Sequence, residues 1–207
     1  MAVINNGILG GLAGKVGPVI GSKWKGIDYV KAYVKPANPN TSAQQVQRAR
    51  MSSCVQLAQS LASSIVTLFF SPFAVKMSGY NKFVKANVMH LAASTYYLTT
   101  DNVMSEGNLQ SAAISAAALA AGEVTITFST SVVGNGLATD IIDCMVINKE
   151  TYQAYTNFDF SLRSDGTGTV TVTGETDATK LIAFTVAKRG TGPTFTVSNS
   201  ESFQVTT

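Results

Sequence analysis

The hydrophobic period of the chain changes near residue 95. Before that point apolar side chains recur every three to four residues, the spacing of helices with one buried face; they include Val46, Cys54, Leu57, Ala58, Leu61, Ile65 and Leu68. From Val124 onward apolar and polar residues alternate, which is the period of half-buried strands. The change predicts an α+β protein divided into residues 1–95 and 96–207.

The first region is predicted to contain an arm, a β-hairpin and two helices. Residues 1–21 are dense in glycine, which disfavours helix and strand, and they predict either an arm ordered by another surface or an irregular loop or strand entry packed on its own domain. Residues 22–36 alternate and predict a strand or hairpin arm, with Ile27, Tyr29 and Tyr33 on one face and Trp24, Val30, Ala32 and Val34 on the other. One helix is predicted over 41–71, ending before a proline, and a second over 78–93, capped by Ser78. The two predict an αα-hairpin packed on the preceding strands.

Residues 96–207 are predicted to form an antiparallel β-sandwich of the immunoglobulin or fibronectin type. Roughly seven short strands rich in Thr and Val fit this length, with turn residues between them. The Asp165-Gly166 pair, flanked by alternating residues, predicts a hairpin. The alanine-rich stretch Leu109–Ala121 fits either a helical turn or an extended strand.

Charge is sorted between the two regions. Residues 1–95 hold ten basic side chains and one acid, a formal charge of +9, whereas residues 96–207 hold five basic side chains and eleven acids, a formal charge of −6. Opposite charges on one chain let copies attract one another head to tail. Only 13% of the residues are charged, which agrees with surface buried between subunits or with solubility carried by uncharged polar residues. Other copies of the chain are therefore the expected partners.

The candidate residues for a contact between subunits lie in the basic region. Cations interleave with aromatic rings along residues 22–36, and two arginines lie early in the first helix. The candidates are Lys15, Lys23, Trp24, Lys25, Tyr29, Lys31, Tyr33, Arg48 and Arg50. Interleaved cations and rings also suit nucleic acid. The lysines mostly alternate with aliphatic residues, as in a soluble edge strand, so nucleic acid is the less favoured partner.

No pattern predicts a catalytic, cofactor or metal site, and we expect no enzyme activity. His90, the single histidine, has no nucleophile or orienting acid at a suitable spacing. The run at 10–16 is one residue short of a phosphate loop and follows no strand. Asp140 and Asp143 would face opposite sides of a strand and lack a third metal ligand.

Cys54 and Cys144 are the two cysteines. They are too few and too far apart for a disulfide framework or a zinc site, so we expect buried thiols and folding in a reducing cytoplasm. The first residues lack a basic leader, and no run of about 18 apolar residues is present. Neither a secretory signal nor a membrane span is therefore expected.

Three motifs follow one another in the first ninety residues: GKVGPVIGSKWKGIDYV, NPNTSAQQVQRAR and MSGYNKFVKAN. They resemble the GKVG…WKG hairpin, the NPxTxAQxxQR helix start and the SGxNxFVxxN second helix of an uncharacterised, phage-associated family that is common in Bacteroidetes. VSNSESFQV is similar to the closing strand of that family. Met51 departs from the pattern, since an aromatic residue is frequent at this point. The matching positions are Trp24, Asn38, Pro39, Thr41, Gln44, Gln47, Arg48, Gly79, Asn81, Phe83 and Asn87.

The resemblance implies no activity, and its phage association implies a structural component of a virion or of a phage-like tube or filament. In this hypothesis the arm and strand 22–35 pair across subunits, other copies and other particle proteins are the partners, and the chain moves from the cytoplasm to a virion, particle or extracellular filament. Two alternatives remain. One is an adhesin-like module that binds through loops Gly134–Leu137 and Arg189–Pro193, and the other is a nucleic-acid-binding protein.

Overall fold

A computed structural model describes residues 3–4, 12–35, 37–92, 95–190 and 195–207. The chain divides into two compact units, Met1–Thr41 and Ser42–Thr207. The sequence predicted a boundary near residue 95 instead. The boundary between units lies earlier because the two predicted helices share a hydrophobic core with the strands that follow them.

The first unit is an antiparallel sheet in which each strand pairs with the next along the chain. Its glycine-rich segment, predicted to be an arm, forms strands from Leu12 onward, and Gly17 turns the chain with φ +57°. Gly7, Gly10 and Gly11 of the predicted arm lie outside the described residues. The strands are β1 (Val3–Ile4), β2 (Leu12–Val16), β3 (Val19–Trp24) and β4 (Ile27–Ala32).

The predicted first helix is broken into two pieces. The carbonyl oxygen of Leu61 accepts hydrogen bonds from both Ile65 N and Val66 N, each at 3.1 Å, which marks the change from an α-helix to a π-helix. The two pieces are bent by 92°. The second piece ends before Ser71, next to Pro72, as predicted. The pieces are α1 (Ser42–Ser60) and the π-helix Ala62–Phe70.

The second predicted helix is α2 (Gly79–Asn87). Ser78 caps it as predicted, since its side-chain oxygen accepts a hydrogen bond from Asn81 N at 3.2 Å. The helix ends six residues before its predicted end. Within the described part of the chain, no single helix is long and apolar enough to cross a membrane. Together, α1 and the π-helix would satisfy that test by length and composition, in spite of their bend.

The strands of the second unit form two antiparallel sheets. One sheet has the order β11-β10-β7-β8, with β12 also paired to β10, and the other has the order β5-β6-β9. The alanine-rich stretch Leu109–Ala121, for which the sequence allowed a helical turn or an extended strand, contains the strand Ile114–Ala120. The strands are β5 (Ile114–Ala120), β6 (Glu123–Phe128), β7 (Ile141–Asn148), β8 (Ala154–Leu162), β9 (Thr167–Thr171), β10 (Leu181–Arg189), β11 (Thr196–Val197) and β12 (Glu201–Gln204).

The second unit has three layers. One hydrophobic cluster lies between the two sheets and includes Ile142 and Ala183; another lies between the five-stranded sheet and the helices and includes Met145 and Phe184. The central strands β7 and β10 are thus buried on both faces. The helices of the predicted αα-hairpin pack on the five-stranded sheet, which follows them in the chain. The unit is α+β and is consistent with a β-sandwich.

The turn at Asp165-Gly166 forms where it was predicted, with Gly166 at φ +68°. It does not close a hairpin, because β8 pairs with β7 and β9 pairs with β6. The turn instead carries the chain from one sheet to the other. Alternation and turn residues identify strands and their ends, but they do not identify the partner of each strand.

Candidate functional site

One face of the first sheet gathers lysine and tyrosine side chains. Pairing places Lys15 opposite Ile20, Ile20 opposite Lys31, and Ser22 opposite Tyr29. Directly opposed residues share a face. Tyr33 N continues the ladder with a 2.6 Å hydrogen bond to Pro18 O. This lysine–tyrosine face is defined by Lys15, Ile20, Ile27, Tyr29, Lys31 and Tyr33.

The lysines of this face stand close to its aromatic rings. Lys15 Nζ lies 3.6 Å from the centre of the Tyr33 ring, and Lys31 Nζ lies 5.9 Å from the centre of the Tyr29 ring. A cation over an aromatic face is attracted by the ring quadrupole. These four residues were all predicted to be interface candidates, and pairing brings them together.

Trp24 falls at a different register position from the one expected. The sequence predicted that Trp24 lies on the same face as Val30, because residues 22–36 were treated as one continuous strand. The chain turns at Lys25 and Gly26, where φ is +49° and +88°, a two-residue turn that favours glycine at its second position. As a result Trp24 pairs with Ile27, at the end of the row that holds Tyr29.

The opposite face of the sheet is also apolar and exposed. Val30 on this face is 62% exposed and Ile27 on the lysine–tyrosine face is 65% exposed. Lys23, another candidate, lies on the Val30 side and forms an exposed ion pair with Asp28 at 3.9 Å. Among the residues of this unit whose burial is described, the buried one is Gly21, which has no side chain. The sheet therefore presents apolar side chains on both faces.

The remaining candidates lie elsewhere. Lys25 is in the turn between β3 and β4. Arg48 is exposed and Arg50 is half-buried on α1, in the second unit. The sequence suggested nucleic-acid binding through the four lysines of residues 22–36, which are Lys23, Lys25, Lys31 and Lys35. They do not form one stripe, because Lys23 and Lys31 are on opposite faces and Lys25 is in the turn.

Two motif residues of α2 hold the second unit together. Asn87 is fully buried, and its amide group donates to Val103 O at 2.8 Å and accepts from Val103 N at 2.7 Å and Asn102 Nδ2 at 3.0 Å. A Cβ atom at Gly79 would lie 2.7 Å from the backbone of Ser71, so a larger residue there would push the two helices apart. Both residues have structural roles.

Asp140 anchors a buried ionic cluster below the 134–137 loop. Arg189 donates to it twice, from Nε at 2.6 Å and from a terminal nitrogen at 2.9 Å, and Leu137 N donates at 2.8 Å. Arg163, also fully buried, lies 3.7 Å from Asp140 and donates to the backbone carbonyls of residues 110 and 111 at 2.5 and 3.1 Å. Burial lowers the pKa of Arg163, and Asp140 opposes this change. The cluster ties three loops together.

Asp143 belongs to a second, separate cluster. Lys188 Nζ lies 3.0 Å from Asp143 Oδ2 and 2.6 Å from Asp159 Oδ1. Asp159 N donates to Asp143 Oδ1 at 2.8 Å. The Asp143 side chain is fully buried, that of Lys188 is 8% exposed and that of Asp159 is 64% exposed. Two carboxylates thus share one amine at the edge of the core.

The other groups considered as chemical sites have no catalytic arrangement around them. His90 is exposed near the end of α2. Cys54 and Cys144 are buried free thiols, and burial raises their pKa to about 11 and about 12. Within the described residues, no three His, Cys, Asp or Glu side chains are arranged to hold a metal ion.

Two open clefts lie side by side in the second unit and share Phe73 and Glu106. The larger, about 390 Å³, is lined by Asn135 and Arg189 from the loops predicted as adhesin contacts. Residues 191–193 of the second loop lie outside the described residues. The Asn135 amide already bonds to Gln110 N and to the carbonyl of residue 108.

Sequence reasoning missed Lys188, Arg163 and Arg189 as members of ionic clusters. Asp143 and Lys188 lie in two strand sequences that are largely apolar, and a charge buried in a strand needs a partner. That signal was present for Asp143, which was considered only as a metal ligand together with Asp140. The structure places these two aspartates in different clusters, Asp140 with two arginines and Asp143 with Lys188.

The comparisons with known proteins give a family and no activity. The sequence model of one family, described as a family of unknown function (DUF6266), matches residues 11–198. No curated protein and no solved structure matches the chain. The family match covers most of both units.

Proposed function

The chain belongs to this family of unknown function (DUF6266), and we propose that it is a non-enzymatic structural protein that assembles with other copies of itself through its N-terminal sheet. Apolar exposure on both faces of that sheet is the observation that carries the proposal. Small sheets are marginally stable in water unless a hydrophobic face is covered. Exposed apolar patches rimmed by polar groups are typical of interaction surfaces.

The lysine–tyrosine face is the proposed contact surface. It combines aromatic rings with a ring-bound cation, and tyrosine is enriched in interface cores. The opposite face carries a lysine already paired with Asp28, so its charge is partly neutralised within the sheet.

Charge supports a partner of the same sequence. The first unit carries five lysines and one acid, whereas residues 96–207 carry a formal charge of −6. Six acids of the second unit make no ion pair with another described residue: Asp101, Glu123, Asp165, Glu175, Asp177 and Glu201. A basic sheet on the acidic region of the next copy is a heterologous contact, which produces rings or open filaments.

The biological setting, the fold type of the two-sheet region and the location of the chain are part of the same proposal. We propose a phage virion, or a phage-like tube or filament, as the setting, because the motifs resemble a phage-associated family of Bacteroidetes. We also propose that the two-sheet region has an immunoglobulin- or fibronectin-like fold, supported by its antiparallel strands and central apolar layer. The chain would be made in the cytoplasm and end in the particle or filament.

Matched double substitutions on the two faces of the sheet test the proposal. Ile27→Ser with Tyr29→Ser should abolish assembly in sedimentation velocity and in electron micrographs, because both alter the lysine–tyrosine face. Val16→Ser with Val30→Ser removes exposed apolar groups from the opposite face and should leave assembly in place. Identical assembly by both variants, or a monomeric natural protein at every concentration, would overturn the proposal.

A binding module is the second candidate, supported by the larger cleft between the 134–137 loop and Arg189. In this function the second unit binds a ligand and the first unit anchors it to a particle or cell surface. Size-exclusion chromatography with light scattering distinguishes the two candidates, since a stable monomer that binds a ligand favours the module.

A further inference from the structure

The cluster of Asp143, Lys188 and Asp159 is built on strands whose positions are fixed. Asp143 pairs with Val186 across β7 and β10, so Lys188, two residues further on, is its diagonal neighbour on the same face. Asp159 lies in β8, next to an irregularity in the β7–β8 pairing, and has φ +61°. This conformation is uncommon for a residue with a side chain. The three groups are held together by the sheet itself.

The two oxygens of Asp143 have different partners. Oδ1 accepts a hydrogen bond from Asp159 N at 2.8 Å, whereas Oδ2 faces Lys188 Nζ at 3.0 Å. On its other side, the same Nζ lies 2.6 Å from Asp159 Oδ1. An amine, a carboxyl carbon, a donor for a developing oxyanion and a proton carrier therefore lie within contact distance. These are the parts that acyl transfer needs.

Keeping the cluster ionic is costly. Asp143 and Lys188 are almost completely buried, and with Asp159 the three groups carry a net charge of −1 when all are ionised. Buried ions lose hydration that their mutual attraction only partly restores. An amide between the amine and the carboxyl group would remove two of these charges and leave one neutral polar group.

We propose that Lys188 and Asp143 form an intramolecular isopeptide bond, with Asp159 as the catalytic residue. It is a single self-modification rather than an enzymatic turnover. The bond would join β7 and β10, the two central strands of the five-stranded sheet. It does not depend on the proposed assembly function.

The reaction balances with the chain's own groups. Asp159 takes a proton from the Lys188 ammonium group, and the free amine attacks Cγ of protonated Asp143. The Asp159 backbone N–H stabilises the oxyanion that forms on Oδ1. Asp159 then returns the proton to the Oδ2 hydroxyl group, which leaves as water when the C–O bond breaks and the C–N bond remains. The attacking nitrogen gives its second proton to Asp159, which ends as a carboxylic acid beside a neutral amide. Nothing is oxidised or reduced.

Burial shifts the protonation equilibrium of Asp143 towards its acid form. Burial raises the pKa of Asp143, although the Asp159 backbone hydrogen bond and Lys188 oppose it. For Lys188, burial lowers the pKa, but the hydrogen bonds and attraction of Asp159 and Asp143 outweigh burial and raise it. The amine therefore starts as an ammonium ion, which is why the reaction needs Asp159 as its proton acceptor.

Intact-mass spectrometry of the full chain, purified in its folded state and then denatured, tests the proposal. The mass should be lower than that of the sequence by one water molecule. Peptide mapping should find the segments containing Asp143 and Lys188 linked, which distinguishes the bond from water loss at one residue. The natural protein at its full sequence mass, after prolonged incubation in the folded state, would show an ion cluster only and overturn the proposal.

Variants distinguish a loss of the linking reaction from a loss of folding. Lys188→Arg keeps a positive charge but should retain the full mass. Asp159→Asn changes an exposed side chain, so it should fold, as checked by circular dichroism, and should remain mostly unlinked. Lys180→Arg is the matched control, because Lys180 forms an ordinary ion pair with Glu150 at 3.2 Å, and its mass should still be one water lower. Efficient linkage in Asp159→Asn would contradict the role given to Asp159.

Discussion

Replacing Asn87 by alanine should destabilise the second unit strongly. The substitution removes the partner of the Val103 N–H and C=O groups and of the Asn102 amide. Each unsatisfied buried polar group costs about 1–3 kcal/mol, and Val103 is only half-buried, so water replaces part of the loss. We therefore expect a decrease of about 3 kcal/mol in the free energy of unfolding. For a chain of this length that corresponds to a fall of roughly 6–12 °C in Tm.

Thermal unfolding followed by circular dichroism measures the effect, and Asn81→Ala provides the control. Asn81 lies on the same helix but its side chain is exposed, so its replacement should change stability by less than about 0.5 kcal/mol. Equal melting temperatures for Asn87→Ala and Asn81→Ala would refute the structural role assigned to this motif residue.

Three other outcomes concern buried or paired groups. Arg163→Met should lower the free energy of unfolding by about 3 kcal/mol in urea denaturation, because two backbone carbonyls lose a charged donor. An unchanged free energy of unfolding would contradict the role of the Asp140 cluster. Cys54 and Cys144 should react with a thiol reagent only after denaturation, since burial keeps both thiols protonated; rapid labelling of the native protein would contradict their burial. Hydrogen bonds from Thr179 lower the pKa of Asp177 below 3.8, so the contribution of Asp177 to stability is present above that pH and is lost as the pH falls through the lowered pKa. On acid titration, Asp177→Asn should therefore lose less stability than the natural protein. Equal losses of stability would contradict the effect of these hydrogen bonds.

The order of elements could be predicted from the sequence because each has a local signal. The change of hydrophobic period separated helices from strands, Ser78 marked the start of α2, and Pro72 marked the end of the π-helix. These signals depend on a few neighbouring residues, and the backbone responds to them locally. The break at Leu61 has no such signal, since apolar residues continue at helical spacing through it.

The pairing of the strands could not be predicted in the same way. A two-residue turn at Lys25 shifts the parity of every position before it, so Trp24 was grouped with Val30 instead of Ile27. The Asp165-Gly166 turn looks like a hairpin locally, but its two flanking strands belong to different sheets. Register and sheet membership depend on contacts distant in sequence.

The candidate sites, like the fold, could be predicted from the sequence only where local patterns indicate them. The interface candidates Lys15, Tyr29, Lys31 and Tyr33 were predicted from the charge distribution and from the interleaving of cations with aromatic rings, and strand pairing places them on one face. The Lys188 cluster could not be assembled from spacing, because its members come from three strands. The detectable sign was a charged residue inside an apolar strand, which indicates a buried partner without identifying it.

Hydrogen–deuterium exchange of residues 12–32 at low and high protein concentration tests the central claim most directly. If another copy covers the N-terminal sheet, protection of these amides should increase with protein concentration, and Ile27→Ser with Tyr29→Ser should remove the increase. Protection that is independent of concentration would contradict the account, because the sheet would then be uncovered or covered by its own chain.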